Sequence, residues 1–179
     1  EELLLKRDSK NFNFTIIRPA TVCGYSPRQR LDVVVNIFAN LAYHKRKISI
    51  FGGEQLRPNI HILDMANAYL KIIESPLSLV KNQIFNVGER NYKLLEIANI
   101  TKEIIGEDVN LDFVKSSDTR SYHISSNKIL KNLGFHTKYT VREAIKDLKQ
   151  KFIEKKLINT FENNNYFNIK KVNEFDFNN

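Results

Sequence analysis

An arginine beside a glycine turn is the residue of this chain best suited to bind a phosphate. Residues 51–63 read FGGEQLRPNIHIL, which indicates a strand end, a Gly-Gly turn and then Arg57 at the start of a second apolar strand. A guanidinium in such a position can hold a phosphate through two parallel hydrogen bonds. The alternatives are a solvated surface arginine or a partner for Glu54, and the local sequence leaves all three open.

A second group of polar residues lies at 118–128, just after Lys115, where an acid, an arginine, an aromatic residue and several serines precede a short helix. Arg120 could face an anion. The simpler interpretation is a loop held by Asp118 and a helix capped by one of the serines at 125–126. Lys115 could be only solvated.

Other catalytic or metal-binding patterns are not found in the sequence. The Gly52-Gly53 pair lies between two predicted strands, so it does not fit a dinucleotide-binding loop. The four histidines are isolated, so no Cys/His cluster has the spacing of metal ligands. His61 lies on an apolar strand and is more readily a core histidine than a general base. Cys23 has no evident activating partner, which makes a nucleophilic role the minor alternative.

The composition of the 179 residues, 42% hydrophobic with a net charge of +8, is typical of a folded domain. No apolar run approaches the roughly 18–20 residues of a membrane span, and no signal peptide is evident, so we expect a cytoplasmic protein that binds no membrane. A lone cysteine fits that reducing compartment. The basic residues are spread along the chain, which favours a solvated surface, with a phosphate-bearing small ligand as the alternative.

Hydrophobic periodicity predicts a mixed α/β chain with short connections. Strands are predicted at 13–17, 47–51, 59–63, 83–87 and 110–114, and helices at 1–9, 31–44, 64–74, 94–105, 125–133 and from 140 onward. Thr140 and Glu143 form a predicted capping box, and Asp64 is the predicted N-cap of its helix. The Asn-rich residues from 156 onward are expected to dock loosely or to be disordered.

Five helical faces are predicted to point inward, including those of the helices at 94–105 and from 140 onward. The other three are Leu3, Leu4 and Leu5 in the first helix, Val34, Ile37, Phe38 and Leu41 in the second, and Ala66, Tyr69, Leu70 and Ile73 in the third. The strand at 13–17 is apolar enough to need neighbours on both sides, and none is evident downstream. The first residue is Glu rather than Met, so we expect these neighbours upstream, in a longer or unprocessed protein.

Six segments, taken together and in order, resemble one family. They read IIRPATVCGYSPR, RLDVVVNIF, IFGGEQLRPNIHILDMANAYL, IFNVGERNYKLLEIA, DTRSYHISSNKILKNLGF and TVREAI. Over roughly residues 1–150 the chain is similar to the C-terminal half of the extended short-chain dehydrogenase/reductases, the NAD-dependent epimerase/dehydratase enzymes of nucleotide sugars.

The resemblance implies an α/β fold, the C-terminal part of an NAD(P)-binding Rossmann-type enzyme with its small mixed α/β substrate-binding domain. Residues 1–30 would end the Rossmann-type domain. Residues 31–155 would be mostly substrate-binding, with 59–75 returning to the Rossmann core, and 156–179 would form a tail.

The resemblance also implies residue roles, one position at a time. Backbone near Pro19, Ala20 and Val22 would face the nicotinamide of NAD or NADP. The substrate, a nucleotide-diphosphate sugar, would meet several side chains. These are Arg57 on the diphosphate, Asn36 where the chain closes over the nucleotide, Thr21 where many members carry asparagine, the aromatic Tyr122, Lys115 where several epimerases carry a second arginine, and Arg120 as the alternative carrier of that charge.

The catalytic groups of the family lie upstream of the matching region. They are a Gly-rich cofactor loop, a Ser or Thr, and a Tyr-x-x-x-Lys pair whose tyrosine is the general acid/base. None of Tyr25, Tyr43 or Tyr69 is followed by lysine at the right spacing in the right place. We therefore expect no catalytic residue in this chain, which alone would be inactive.

The leading hypothesis is an enzyme that oxidises a sugar carbon with NAD(P), rearranges the keto-sugar and returns the hydride. The resemblance implies a cytoplasmic homodimer when complete, binding neither nucleic acid nor membrane. A non-catalytic binding or scaffold protein on the same fold is the alternative. A basic nucleic-acid-binding module is less favoured and predicts binding that collapses with salt.

Overall fold

A computed structural model describes residues 1–7, 12–115 and 120–174 of the chain. The helices are α1 Glu2–Leu5, α2 Val34–Lys45, α3 Ile62–Glu74, α4 Leu77–Val80, α5 Leu94–Ile105, α6 Asn127–Leu133, α7 Val141–Ile153 and α8 Asn168–Val172, with a 3₁₀ turn at Asn164–Tyr166. The strands are β1 Thr15–Pro19, β2 Thr21–Cys23, β3 Lys47–Phe51, β4 Leu56–His61, β5 Gln83–Val87, β6 Arg90–Lys93 and β7 Asn110–Val114.

Within these ranges the strands pair into three small sheets. β1 runs parallel to β5, and β3 runs parallel to β7. β4 lies between β2, which is parallel to it, and β6, which is antiparallel. Only Ala20 separates β1 from β2, so the chain passes directly from the first sheet into the second. The predicted mixed α/β class with parallel pairing is confirmed.

The expectation that β1 has no neighbour downstream is wrong. Thr15 lies opposite Gln83 and Pro19 opposite Val87, so β5 pairs along the whole strand. Parallel strands need a long crossover, and here it passes through β2, α2, β4 and α3 before β5 returns beside β1. A pairing between such distant segments leaves no local mark in the sequence.

Two hydrophobic clusters hold the described elements together. The large cluster packs α2, α5 and α7 around β3, and among its completely buried members are Val35, Ile48, Ile97, Ile145 and Leu148. The small cluster packs α3 and α6 against β1, β4 and β5, and includes Ala20, Ile60, Met65, Phe85 and Ile129. Each such side chain contributes about 1.5–3 kcal/mol by leaving water, so most of the stability lies in these two clusters.

The predicted inward faces of α5 and α7 are confirmed, whereas those of α1 and α3 are wrong and that of α2 is only partly confirmed. In α3 the buried residues are Asp64, Met65, Ala68 and Ile72. The expected set is wrong, since Tyr69 is 47% and Ile73 is 77% exposed. In α2 the buried side is Val35, Asn36, Phe38, Ala39, Asn40 and Ala42. The α1 leucines are also exposed, Leu3 by 86%. In α2 the buried side carries Ala39 and Ala42, and such small residues let neighbouring elements approach the helix closely.

His61, and not Asp64, caps α3. The His61 Nδ1 atom accepts a hydrogen bond from the Leu63 amide at 3.2 Å. Asp64 lies one turn later, is completely buried, and accepts hydrogen bonds from the amides of Lys138 and Tyr139 at 2.9 Å. Asp64 therefore anchors the segment that leads into α7.

Two predictions about the C-terminal part have opposite outcomes. The capping box at Thr140 and Glu143 is confirmed, with the Glu143 carboxylate accepting from the Thr140 amide at 2.9 Å. The loosely docked or disordered tail is wrong for residues 157–168, because Leu157 and Thr160 are buried and the Asn168 amide donates to Asp32. Within the described residues no helix is both long enough and apolar enough to cross a bilayer.

Candidate functional site

Arg57, Arg120 and Tyr122 lie together at the start of β4. Arg57 Nη1 donates to the Arg120 carbonyl at 2.6 Å and to the Leu56 carbonyl at 2.9 Å. The Arg57 guanidinium carbon lies 5.4 Å from the centre of the Tyr122 ring, a cation–π distance. Three of the residues that the resemblance implies for substrate binding therefore form one group, although 63 positions separate the two arginines.

Hydrogen bonds to the backbone fix residues 120–126 beside β4 and β6. The Leu56 amide donates to Ser121 Oγ at 3.0 Å. Asn91 brackets Ile124 with both ends of its amide, accepting from the Ile124 amide at 2.9 Å and donating to the Ile124 carbonyl at 3.0 Å. Ser126 stands at the N-cap position of α6, but its hydroxyl bonds Gly88 instead, which ties the segment to the end of β5.

The arginine group is partly open to solvent. Arg57 is half-buried, Arg120 is exposed and Tyr122 is 50% exposed. Lys115, at the end of β7, is also exposed. A guanidinium next to an aromatic face, with the backbone of a second arginine beside it, suits a ligand that carries a phosphate charge and a flat ring. Asp118 lies outside the described residues.

The residues implied for the cofactor lie at the junction of β1 and β2. Pro19 is exposed, whereas Ala20 is buried in the small cluster, and its amide donates to the Val87 carbonyl at 2.7 Å. Thr21 lies opposite Asn59, only two positions along β4 from Arg57. The ends of the parallel strands β1 and β5 thus lie close to the arginine group. In open α/β sheets, the crevice outside the carboxyl ends of the strands is where ligands bind.

Asn36 lies apart from the arginine group. Its Oδ1 atom accepts from the Gly24 amide at 3.1 Å, and its Nδ2 atom donates to the Arg30 carbonyl at 2.8 Å. The strand register places Gly24 beyond His61, roughly 15 Å along β4 from Arg57. Asn36 is buried, and these two contacts make it a brace for the loop between β2 and α2.

His61 is a core residue, as the apolar strand predicts. It is 1% exposed, and its Nε2 atom lies 3.1 Å from Asp147 Oδ2 while Nδ1 caps α3. The Tyr139 ring stacks on it at 4.9 Å. Cys23 is buried opposite His61, and burial raises the pKa of its thiol to about 12. A thiol that stays protonated and donates to the Ile60 carbonyl is not a nucleophile.

Glu89 is a feature that the sequence did not predict. It follows the end of β5 and lines a cavity of about 330 Å³. Burial raises the pKa of the Glu89 carboxyl, and a hydrogen bond with Tyr92 only partly offsets that shift. Among the described atoms its Oε2 has no hydrogen-bond partner. A glutamate in the turn Gly88-Glu89-Arg90 has the composition of a solvated loop, so no sequence signal marked it.

The spacing Tyr-x-x-x-Lys does occur in this chain, at Tyr43–Lys47 and at Tyr166–Lys170. Neither pair lies at the site. Tyr43 packs on Phe152 with 5.1 Å between ring centres, and Lys47 forms an ion pair with an aspartate on β7 at 2.9 Å. Lys170 lies over the Phe167 ring in the C-terminal segment. Spacing alone therefore does not supply the catalytic pair of the family.

Comparisons with known proteins agree with this geometry. Residues 1–88 match the profile of the NAD dependent epimerase/dehydratase family. A UDP-glucose 4-epimerase of Corynebacterium glutamicum is 28% identical over 115 residues, covering 58% of this chain and 35% of that protein. The structure of a UDP-glucose 4-epimerase of Thermotoga maritima with UDP-glucose is 27% identical, with a TM-score of 0.69 over 82% of this chain and 48% of that one.

A third protein shares the fold at lower identity. It is a UDP-glucuronic acid 4-epimerase of Bacillus cereus, in complex with UDP-glucuronic acid and NAD, with 20% identity and a TM-score of 0.67 over 80% of this chain and 46% of that one. The chain thus spans less than half the length of each of these three relatives.

Proposed function

Because residues 1–88 match the NAD dependent epimerase/dehydratase family, we propose that the chain forms the substrate-binding part of an enzyme of this family that acts on a nucleotide-diphosphate sugar. The reaction would be an oxidation and reduction at a sugar carbon, as an epimerase or a dehydratase. The observation that carries the proposal is the group of Arg57, Arg120 and Tyr122. It joins the Arg57 guanidinium, the Arg120 backbone and an aromatic ring within a few residues of the strand ends where a sugar would lie.

In this proposal the arginine group binds the diphosphate. Arg57, already oriented by two carbonyl contacts, presents its charge at the start of β4. Arg120 and the exposed Lys115 add positive charge, and Tyr122 packs on the ligand. Thr21 lies next to the sugar at the neighbouring strand end. Asn36 acts at a distance, by bracing the loop that closes over the nucleotide.

The cofactor of the complete protein would be NAD or NADP, which accepts and returns the hydride. The residues present fit this group at the carboxyl end of β1, where the exposed Pro19 and the junction through Ala20 to Val22 form one wall of the crevice. The Ala20 amide is bonded to Val87 and keeps this wall in register with β5. The wall at Pro19 would help to position the cofactor and would not donate a hydrogen bond to it from the Pro19 backbone, because proline has no amide proton.

The domain division stays a proposal. Residues 1–30 and 59–75 would belong to the Rossmann-type core, the rest of 31–155 would be mostly substrate-binding, and 156–179 would be the tail. The small hydrophobic cluster adds β5 and α6 to the Rossmann-type side. The 179 residues contain no Gly-rich cofactor loop, and their two Tyr-x-x-x-Lys spacings lie away from the site. We therefore expect that this chain alone does not turn over substrate.

Binding to UDP-glucose in the full-length protein tests the proposal. Arg57→Ala should weaken the affinity by about 2–4 kcal/mol, or about 30- to 1000-fold, because a charged contact to the diphosphate is lost. Arg142→Ala is the matched control, since Arg142 forms an exposed ion pair with Glu103 on the surface between α5 and α7. Calorimetry with UDP-glucose and with UDP-glucuronic acid measures both variants. An Arg57→Ala affinity equal to that of the wild type would remove the assignment.

A non-catalytic binding protein on the same fold is the second candidate. It has the same arginine group, so binding does not separate the two. Turnover does: an enzyme converts the UDP-sugar in the presence of NAD or NADP, and a scaffold binds it unchanged. A nucleic-acid-binding module predicts binding that falls steeply with salt and is not displaced by UDP-glucose.

A further inference from the structure

The C-terminal segment, residues 157–173, packs on the loop at residues 24–33, which joins β2 to α2. Leu157 belongs to the large cluster, and Tyr166 packs against it. The Leu31 amide donates to the Tyr166 carbonyl at 2.9 Å, and the Leu31 side chain is buried beneath it. The segment therefore returns from the end of α7 and lies across the outer side of the loop.

Polar contacts lock the two segments together. Asp32 Oδ2 accepts from the Asn168 amide at 2.8 Å. Arg28 donates from Nη1 to the Asn165 carbonyl at 2.8 Å and from Nη2 to Asn168 Oδ1 at 3.1 Å. Burial alone would raise the pKa of the Asp32 carboxyl, but hydrogen bonds from Arg30 and from the Asn168 amide hold it below its ordinary value. Asp32 therefore meets the segment as a carboxylate, a strong acceptor.

The inner side of the same loop is held by two buried amides. Gln29 donates from Nε2 to the Arg30 carbonyl at 2.8 Å and accepts from the Ser26 amide at 3.0 Å. Asn36 bonds Gly24 and Arg30. A surface loop without regular structure is ordinarily mobile. This one is fixed from inside by Gln29 and Asn36, and from outside by the C-terminal segment.

We infer that the C-terminal segment is a positioning element of the nucleotide-sugar site: it holds the 24–33 loop in the conformation that closes over the nucleotide. The inference rests on the proposed function, in which this loop and the start of α2 cover the substrate. The physical reason is preorganisation, because a loop that is already ordered loses less conformational freedom when the ligand binds. The segment itself touches no ligand in this account.

Two substitutions at one position separate the contacts. Asn168→Pro removes the amide that donates to Asp32, and proline is tolerated there because Asn168 is the first residue of α8 and the residue before it is extended. Asn168→Ala keeps that amide and loses only the side-chain contact to Arg28. A chain ending at residue 163 removes all these contacts and keeps Leu157 and Thr160. Glu174→Ala is the control, since the Glu174 carboxylate is bonded to Asn164 and Lys171 within the segment itself.

Two measurements on the full-length protein decide the inference. Trypsin cleavage after Arg28 and Arg30, followed by mass spectrometry, reports whether the loop opens, and calorimetry with UDP-glucose reports the site. We expect cleavage about 10-fold faster and affinity several-fold weaker in the shortened chain, smaller changes in the same direction in Asn168→Pro, and none in Glu174→Ala.

The outcomes separate a failure of the positioning role from a failure of the proposed function. Faster cleavage with weaker UDP-glucose binding supports the positioning role. Wild-type cleavage rates in the shortened chain overturn it, and so does faster cleavage with unchanged affinity, because the loop would then be held without serving the site. A wild-type protein that binds no nucleotide sugar overturns the proposed function, and the positioning role with it.

Discussion

Replacing Gly24 by alanine probes how the strands that carry the site are locked together. Gly24 follows β2 with a φ of +99°, outside the region that residues with a side chain adopt easily. A Cβ atom there would lie 3.0 Å from His61 Nε2 and 3.3 Å from His61 Cδ2. That same Nε2 atom bonds Asp147. The substitution therefore strains the backbone and also pushes a buried ring away from its partner.

The two effects can be sized separately. An L residue held at positive φ costs about 1–2 kcal/mol. Weakening the hydrogen bond of a buried polar group costs about 1–3 kcal/mol more. The sum, about 2–5 kcal/mol, is a large part of the roughly 5–15 kcal/mol by which a domain is stable. Gly24→Ala should thus lower the free energy of unfolding by more than backbone strain alone would.

Gly134→Ala is the matched control. Gly134 ends α6 with a φ of +65°, and nothing lies within 4 Å of an added Cβ atom. Its substitution should cost only the strain, about 1–2 kcal/mol. Urea unfolding followed by circular dichroism gives both values, with unchanged m-values as the check on two-state behaviour. If Gly24→Ala costs no more than Gly134→Ala, the contact with His61 contributes nothing and the reasoning is refuted.

Substitutions at three further positions test the packing of the described elements. Glu89→Gln should raise the melting temperature more at pH 8 than at pH 4. The buried carboxyl has a raised pKa, so the folded state loses stability as the pH rises from about 4.5 through that pKa; an increase that is the same at both pH values contradicts this. Asp64→Ala should lower the free energy of unfolding, measured in urea, by about 2–5 kcal/mol, because it leaves the amides of Lys138 and Tyr139 without their buried acceptor. Asp64→Asn should lower it by less. Thr140→Ala should cost about 0.5–2 kcal/mol through the lost N-cap of α7, and a value near zero would mean that the capping box is not formed in solution.

Local signals were predicted well from the sequence. The capping box at Thr140 and Glu143 depends on residues three positions apart, and it forms as expected. His61 was placed in the core because it lies on an apolar strand, and its burial follows from β4 lying between two other strands. Where one segment determines the outcome, the pattern of side chains is sufficient.

Contacts between distant segments were not predicted. The pairing of β1 with β5 has no local signature, and neither does the Asp64 carboxylate reaching Lys138. The predicted α3 face is wrong because two sides of the helix carry apolar residues, and the helical periodicity alone does not tell which of them packs on the small cluster. The grouping of Arg57 with Arg120 came from the family resemblance, since periodicity cannot bring together residues 63 positions apart.

The parallel pair β1–β5 has a consequence for synthesis. β5 follows β1 by about 70 residues, so at roughly 5–20 residues per second its partner is complete only about 4–14 s after β1. During that interval the edge of β1 that pairs with β5, which includes Ile16 and Ile17, lacks this partner on the nascent chain. Chaperone binding to a ribosome-bound chain that stops before Gln83 should therefore be strong. It should fall once Val87 and enough further residues to fill the ribosomal exit tunnel have been translated.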